Sequence, residues 1–119
     1  MSTPPPLDPQ AIDNLRALSP GDPAFLRELI EIYLQDTPRR LAELETALAG
    51  NDGPLLIRAA HTIKGSSGNF GATGLARLAQ EIEAHGKTGS FAAAAAALPG
   101  FKAEYARVNA ALTALAGGT

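Results

Sequence analysis

The 119-residue chain contains no cysteine, which excludes disulfides, thiolate catalysis and the cysteine-based zinc patterns. Long apolar runs are missing too. None approaches the roughly 20 residues a membrane span needs, and no signal-peptide pattern opens the chain; the expectation is a soluble, cytoplasmic protein with no membrane partner. Neither sign of charge is in large excess. Ten Lys and Arg against twelve Asp and Glu give a formal net charge of −2 and a pI near 5.6. The basic residues are scattered, which argues against a nucleic-acid surface. β-Branched residues are few and apolar and polar residues nowhere alternate for long. With alanine and leucine dominant, this excludes a sheet protein and predicts an all-α fold. A chain of this length builds one core, not two.

What is present is strong helix punctuation. Residues 1–7 include three consecutive prolines and no apolar periodicity, and read as a flexible Pro-rich tail; residues 8–116 then form a single domain. Asp8-Pro9 is an N-cap followed by proline at the first helical position, starting a short helix to about Leu18. Asp22-Pro23 repeats that signal. The apolar residues Phe25, Leu26, Leu29, Ile30, Tyr33, Leu41, Leu44 and Leu48 keep one phase through Pro38, predicting a single bent helix over 23–49. A third helix is expected from about Pro54 to Asn69, and a fourth from about Thr73 to His85 with Gly86 as its terminator. The last begins near Ser90, either as one helix kinked at Pro99 or as a pair split there. Short turns between long amphipathic helices imply an antiparallel up-down-up-down four-helix bundle, with the short N-terminal helix across one end. Such a bundle closes its own core, so a monomer is expected.

The stretch around which the chain is organised is 59–71, Ala-Ala-His-Thr-Ile-Lys-Gly-Ser-Ser-Gly-Asn-Phe-Gly. Wound at about 100° per residue, it places Ile57, Lys64, Gly65 and Gly68 within roughly 60° of His61. Leu56, Ala59, Ile63, Ser66 and Phe70 fall on the opposite, core-facing side. Each interior glycine costs about 1 kcal/mol relative to alanine, so something other than stability explains Gly65 and Gly68. Glycines beside His61 leave its ring uncovered for a large partner. Lys64, one turn on, supplies positive charge to an anion held at the ring.

At these residues the sequence resembles the histidine-containing phosphotransfer (HPt) domain family, whose pattern is a His, two variable residues, Lys-Gly, a pair of small residues and a further Gly after an apolar residue. Here these are His61, Lys64-Gly65, Ser66-Ser67 and Phe70-Gly71, with Gly68-Asn69 between. The resemblance extends through Leu75, Leu78 and Glu81-Ile82-Glu83, and back to the helix from Phe25 to Leu48. It implies a four-helix bundle whose His61 accepts a phosphoryl group from a receiver-domain aspartate and passes it to another receiver. Lys64 then stabilises phosphoryl charge. Glu83 falls where the family often has a Gln or Glu that orients the active histidine, although the same residue reads as a solvated helix charge. Gly65 and Gly68, with Ile57, become a receiver docking face; Ile57 reads equally as one of the scattered exposed apolar residues that surfaces commonly carry. The implied partners are response-regulator receiver domains and a hybrid histidine kinase. No cofactor or metal is expected on this chain, the Mg²⁺ of the reaction lying in the receiver.

Other readings divide from this one on the same residues. A lone histidine in a bundle is commonly a surface or packing residue, and a module that binds a receiver or kinase without carrying phosphate would keep the docking face and make no use of His61. The glycines at 65, 68, 71 and 74 are no Walker loop, because Lys64 precedes them and no strand leads in; a kinase activity with its own ATP site is not expected. A metal-carboxylate bundle enzyme needs Glu-x-x-His, and neither His61 nor His85 has Glu three residues earlier.

Overall fold

The computed structural model describes residues 4–117. Five helices follow one another: α1 (Pro9–Ala17), α2 (Pro23–Gly50), α3 (Gly53–Asn69), α4 (Thr73–Lys87) and α5 (Phe91–Gly117). The first three start as their Asp and Pro residues dictate. Asp8 accepts from the Gln10 amide, Asp22 from the Ala24 amide and Asp52 from the Leu55 amide, at 3.0, 3.0 and 3.1 Å. Each satisfies one of the orphan donors of a helix start, while proline occupies a position whose N–H has no intrahelical partner. Asn51, at φ 51° and ψ 43°, turns the chain out of α2.

Helix α2 runs unbroken through Pro38, as its unbroken apolar phase requires. Of the two expectations for the last helix, the structure has one helix through Pro99. Helix α4 corrects the sequence reading at its end. Gly86 does not terminate it but lies inside it, buried, and the turn is made at Gly89, with φ +69°. The reason is packing. A Cβ at Gly86 would come within 2.9 Å of Ile57 Cγ1 and 3.4 Å of Leu56 Cδ2, so this glycine serves close approach of α3 and α4.

Helices α2, α3, α4 and α5 pack in a ring, each against the next, with α5 returning to α2, and α1 lies against α2. This is an all-α four-helix bundle with a short additional N-terminal helix. Its centre is filled by Ile30, Leu44, Leu56, Ile63, Leu75, Ile82, Phe101, Val108 and Leu112, all fully buried; burial of such a side chain contributes about 1.5–3 kcal/mol. Residues 1–3 of the expected tail lie outside the described residues. The remainder of it lies on the bundle: Arg107 donates to the Pro4 carbonyl at 2.6 Å, Leu7 packs on the core, and the Asp8 amide donates to the Gly71 carbonyl at 3.0 Å.

Candidate functional site

The site is built on the antiparallel pair α3 and α4. Leu56, Ala59, Ala60, Ile63 and Ser67 are the buried face of α3, and Phe70 is buried just after it. One assignment changes: Ser66 is only half buried, its hydroxyl bonded to the Thr62 carbonyl at 3.0 Å, and the fully buried serine is Ser67. At 100° per residue Ser67 lies about 40° from Ile63 and Ser66 about 60° on the other side, away from the line of Leu56 and Ala60. Ser67 shares a hydrogen bond of 2.9 Å with the buried Tyr33 hydroxyl of α2, whose ring meets Phe70 edge-on at 5.4 Å. This polar pair fixes the rotation of the glycine-containing half of α3 from beneath. The helix remains regular through Gly65 and Gly68 to Asn69.

That rotation turns His61 outward, 65% exposed. Ile57, one turn back, is half buried against Gly86, not freely exposed as its phase on an isolated helix suggests, because α4 comes close enough to cover part of it. From this contact the register is fixed: one turn forward along α3 and one turn back along α4 bring His61 opposite Glu83. Glu83 Oε2 lies 3.1 Å from His61 Nδ1, and Lys64 Nζ donates to Glu83 Oε1 at 2.8 Å. Lys87 Nζ lies 3.7 Å from Oε2. The Glu83 side chain is only 7% exposed, and it is one of the few buried polar residues.

The hydrogen bond from Lys64 holds the Glu83 carboxyl below the usual carboxylate range. Burial pushes the other way, and the bond to His61 and the charges of Lys64 and Lys87 add to the lowering. Glu83 is therefore an ionised acceptor, so His61 Nδ1 carries a proton toward it. In the neutral ring the lone pair then resides on Nε2. A neutral imidazole nitrogen with its other nitrogen anchored is a nucleophile suited to phosphorus.

Gly65 and Gly68 leave open space beside the ring, for a Cβ at either would meet nothing within 4 Å. Beyond them, where α1, α2 and α3 meet, lies an apolar groove of about 490 Å³ that includes Leu18, Phe25, Ile32, Ser66 and Asn69. Among the described residues, the exposed large hydrophobic ones are Leu18 and Ile32, at 70% and 64%. Sequence reasoning passed over Ile32, although it breaks the polar side of α2. It also passed over Lys87, whose spacing of four from Glu83 on one helix is the available signal. Charge is distributed unevenly: residues 53–87 hold Arg58, Lys64, Arg77 and Lys87 against Glu81 and Glu83, on a chain that is negative overall.

The family model described as Hpt domain matches residues 28–116. The chain belongs to the Hpt domain family. The crystal structure of histidine-containing phosphotransfer protein B (HptB) from Pseudomonas aeruginosa PAO1 is similar to it at 27% identity, covering 98% of this chain and 99% of that one with a TM-score of 0.87. None of the curated proteins compared with the chain matches it. Hpt proteins are phosphocarriers rather than kinases, and interact with receiver domains and kinases. In this Hpt domain the motif histidine is the exposed His61, and the described residues include no helix long and apolar enough to cross a membrane.

Proposed function

We propose that this Hpt domain is a phosphorelay intermediate in which His61 takes a phosphoryl group from a receiver-domain aspartate and delivers it to the aspartate of another receiver. The observation that supports this most directly is the bond between His61 Nδ1 and the buried Glu83 carboxylate at 3.1 Å. The Nε2 lone pair forms a bond to phosphorus as the phosphorus–oxygen bond of the aspartyl phosphate breaks, and the aspartate leaves as carboxylate. Nδ1–H stays on Glu83 throughout, so no proton has to move. The N-phosphorylated ring then carries positive charge beside the Glu83 anion, which stabilises it. Delivery to a second receiver is the same exchange in reverse.

Gly65 and Gly68 are the bare ground on which a receiver presses, with the exposed edge of Ile57 on one side and the Leu18–Ile32 groove on the other. Mg²⁺ belongs to the receiver's acidic pocket; this chain supplies the nucleophile and its anchoring, as a cytoplasmic monomer without an ATP site of its own. A hybrid histidine kinase is the natural source of the donor receiver. Incubation with receiver domains carrying aspartyl phosphate tests the reading. The expected product is a stoichiometric, acid-labile and base-stable adduct that is absent from His61→Gln. An adduct that persists in that variant, or a wild-type chain that binds receivers tightly and takes no phosphate, overturns it.

A further inference from the structure

We propose that Lys87, and not the motif lysine Lys64, is the cation that engages the phosphoryl group on His61, while Lys64 remains the fixed counter-ion of Glu83. The inference rests on His61 being the phosphoryl acceptor and concerns which side chain answers the added charge.

Lys64 is committed elsewhere. Its ammonium donates to Glu83 Oε1 at 2.8 Å and its side chain is 31% exposed, while the carboxylate it holds is 7% exposed. If Lys64 swung onto a phosphoryl oxygen, Oε1 would be stripped of its partner at a nearly buried site, and an unpaired buried carboxylate oxygen is among the costlier defects a protein can carry. Lys87 faces no such penalty. Its Nζ stands 3.7 Å from Oε2, beyond hydrogen-bond distance, and its side chain is 62% exposed. Leaving Glu83 breaks no hydrogen bond and buries no new charge.

The position of Lys87 also suits the task. Oε2 is the oxygen that His61 Nδ1 uses, so the ring and the Lys87 ammonium already flank one atom, whereas Lys64 sits on the other oxygen. Lys87 belongs to the last turn of α4, and its four-carbon stem swings without disturbing the helix. When the phosphoryl group arrives with its negative charge, Glu83 keeps Nδ1–H and Lys64, and Lys87 moves outward to the phosphoryl oxygens. Lys64 thus acts on the reaction through Glu83 and the ring, as a positioning residue.

The test uses the full chain phosphorylated with phosphoramidate, whose phosphorus–nitrogen bond breaks as the His61 Nε2 lone pair bonds to phosphorus. The departing nitrogen leaves as ammonia, already bearing its third hydrogen in the donor's zwitterionic form. The ³¹P resonance of the adduct is followed against pH in the wild type, Lys87→Gln, Lys87→Arg and Lys64→Gln. In Lys87→Gln the midpoint of the phosphoryl titration is expected to rise by about half a unit or more, since a nearby cation favours the dianion. Lys87→Arg is expected to restore it, and transfer to a receiver is expected to fall several-fold in Lys87→Gln and recover in Lys87→Arg. In Lys64→Gln the phosphoryl midpoint is expected to stay put, while the ¹⁵N shift of Nδ1 in the unphosphorylated ring moves. A midpoint that moves in Lys64→Gln, or stays fixed in Lys87→Gln, overturns the inference. Lys87 is exposed, so its two variants fold and decide the matter even if Lys64→Gln does not. Failure of the wild type to form any adduct would instead defeat the phosphoryl-acceptor reading on which the inference rests.

Discussion

Glu83 and His61 share one hydrogen bond from opposite surroundings: the carboxylate side chain is 7% exposed and the imidazole 65%. The anchoring partner is the buried one, so the ring is held from inside the bundle while most of it stays in water.

The Glu83 carboxyl is held below the usual carboxylate range, chiefly by the hydrogen bond from Lys64. In the unfolded chain it titrates near its ordinary value of about 4.3. A lowered native value means that its stabilising contribution is fully present above that pH and is lost as pH falls through the native value. The stability difference between wild type and Glu83→Gln is thus expected to be constant from pH 7 to about 5 and to shrink below about pH 4.3. Urea unfolding across that range measures it; an identical difference at pH 3 and pH 7 contradicts it. In Glu83→Ala, where the ring loses its anchor altogether, transfer is expected to slow about 10- to 100-fold.

Gly65 and Gly68 lie in a regular helix with nothing near the position a Cβ would take. Replacing either by alanine is expected to raise stability by about 0.5–1 kcal/mol, read from urea midpoints. Glutamine at either position is expected to cut transfer from a receiver at least tenfold while leaving phosphorylation by phosphoramidate intact, because only the large donor needs the bare ground. Equal losses with both donors would place the effect on the ring and not on docking.

Gly71 is the opposite case. Its φ is +69°, and a Cβ there would fall 2.6 Å from Asp8 Cβ and 2.8 Å from Ala11 Cβ. Left-handed backbone strain and overpacking together predict that Gly71→Ala loses about 2–4 kcal/mol. Thermal or urea unfolding checks this, and a loss under 1 kcal/mol would show that α1 yields easily.

Gly86→Ala drives a methyl group to 2.9 Å from Ile57 Cγ1. A loss of about 1–3 kcal/mol is expected, together with slower transfer, since the same helix pair carries His61 and Glu83. Adding Ile57→Ala removes the obstructing atom and is expected to recover part of both losses. Strictly additive effects in the double variant would argue that the two residues do not press on one another.

Much of this was legible in the chain because local chemistry decides it. Asp8 and Asp22, each followed directly by proline, mark helix starts by local chemistry alone, and the phase of Leu56, Ala59 and Ile63 fixes which way His61 points. What escaped is what a neighbouring helix decides. Gly86 looked like a stop because a glycine near a helix end usually is one; only the proximity of Ile57 makes it a packing residue. Ser66 and Ser67 differ by one step of rotation, and the Tyr33 hydroxyl chooses between them. Glu83 could be placed on α4, and its solvated alternative gave way only when α3 came alongside.

Because Glu83 turns its charge inward onto Lys64 and His61, an approaching protein meets Lys87, exposed beside Glu83, and the exposed Arg58 one turn before His61 on α3, and little of the compensating anion. A molecule that is negative as a whole thus presents a local sign reversal at its reactive edge. Encounter with the acidic pocket of a receiver is expected to be steered toward that edge before any atom touches, and rising ionic strength is expected to slow capture more than the chemistry that follows.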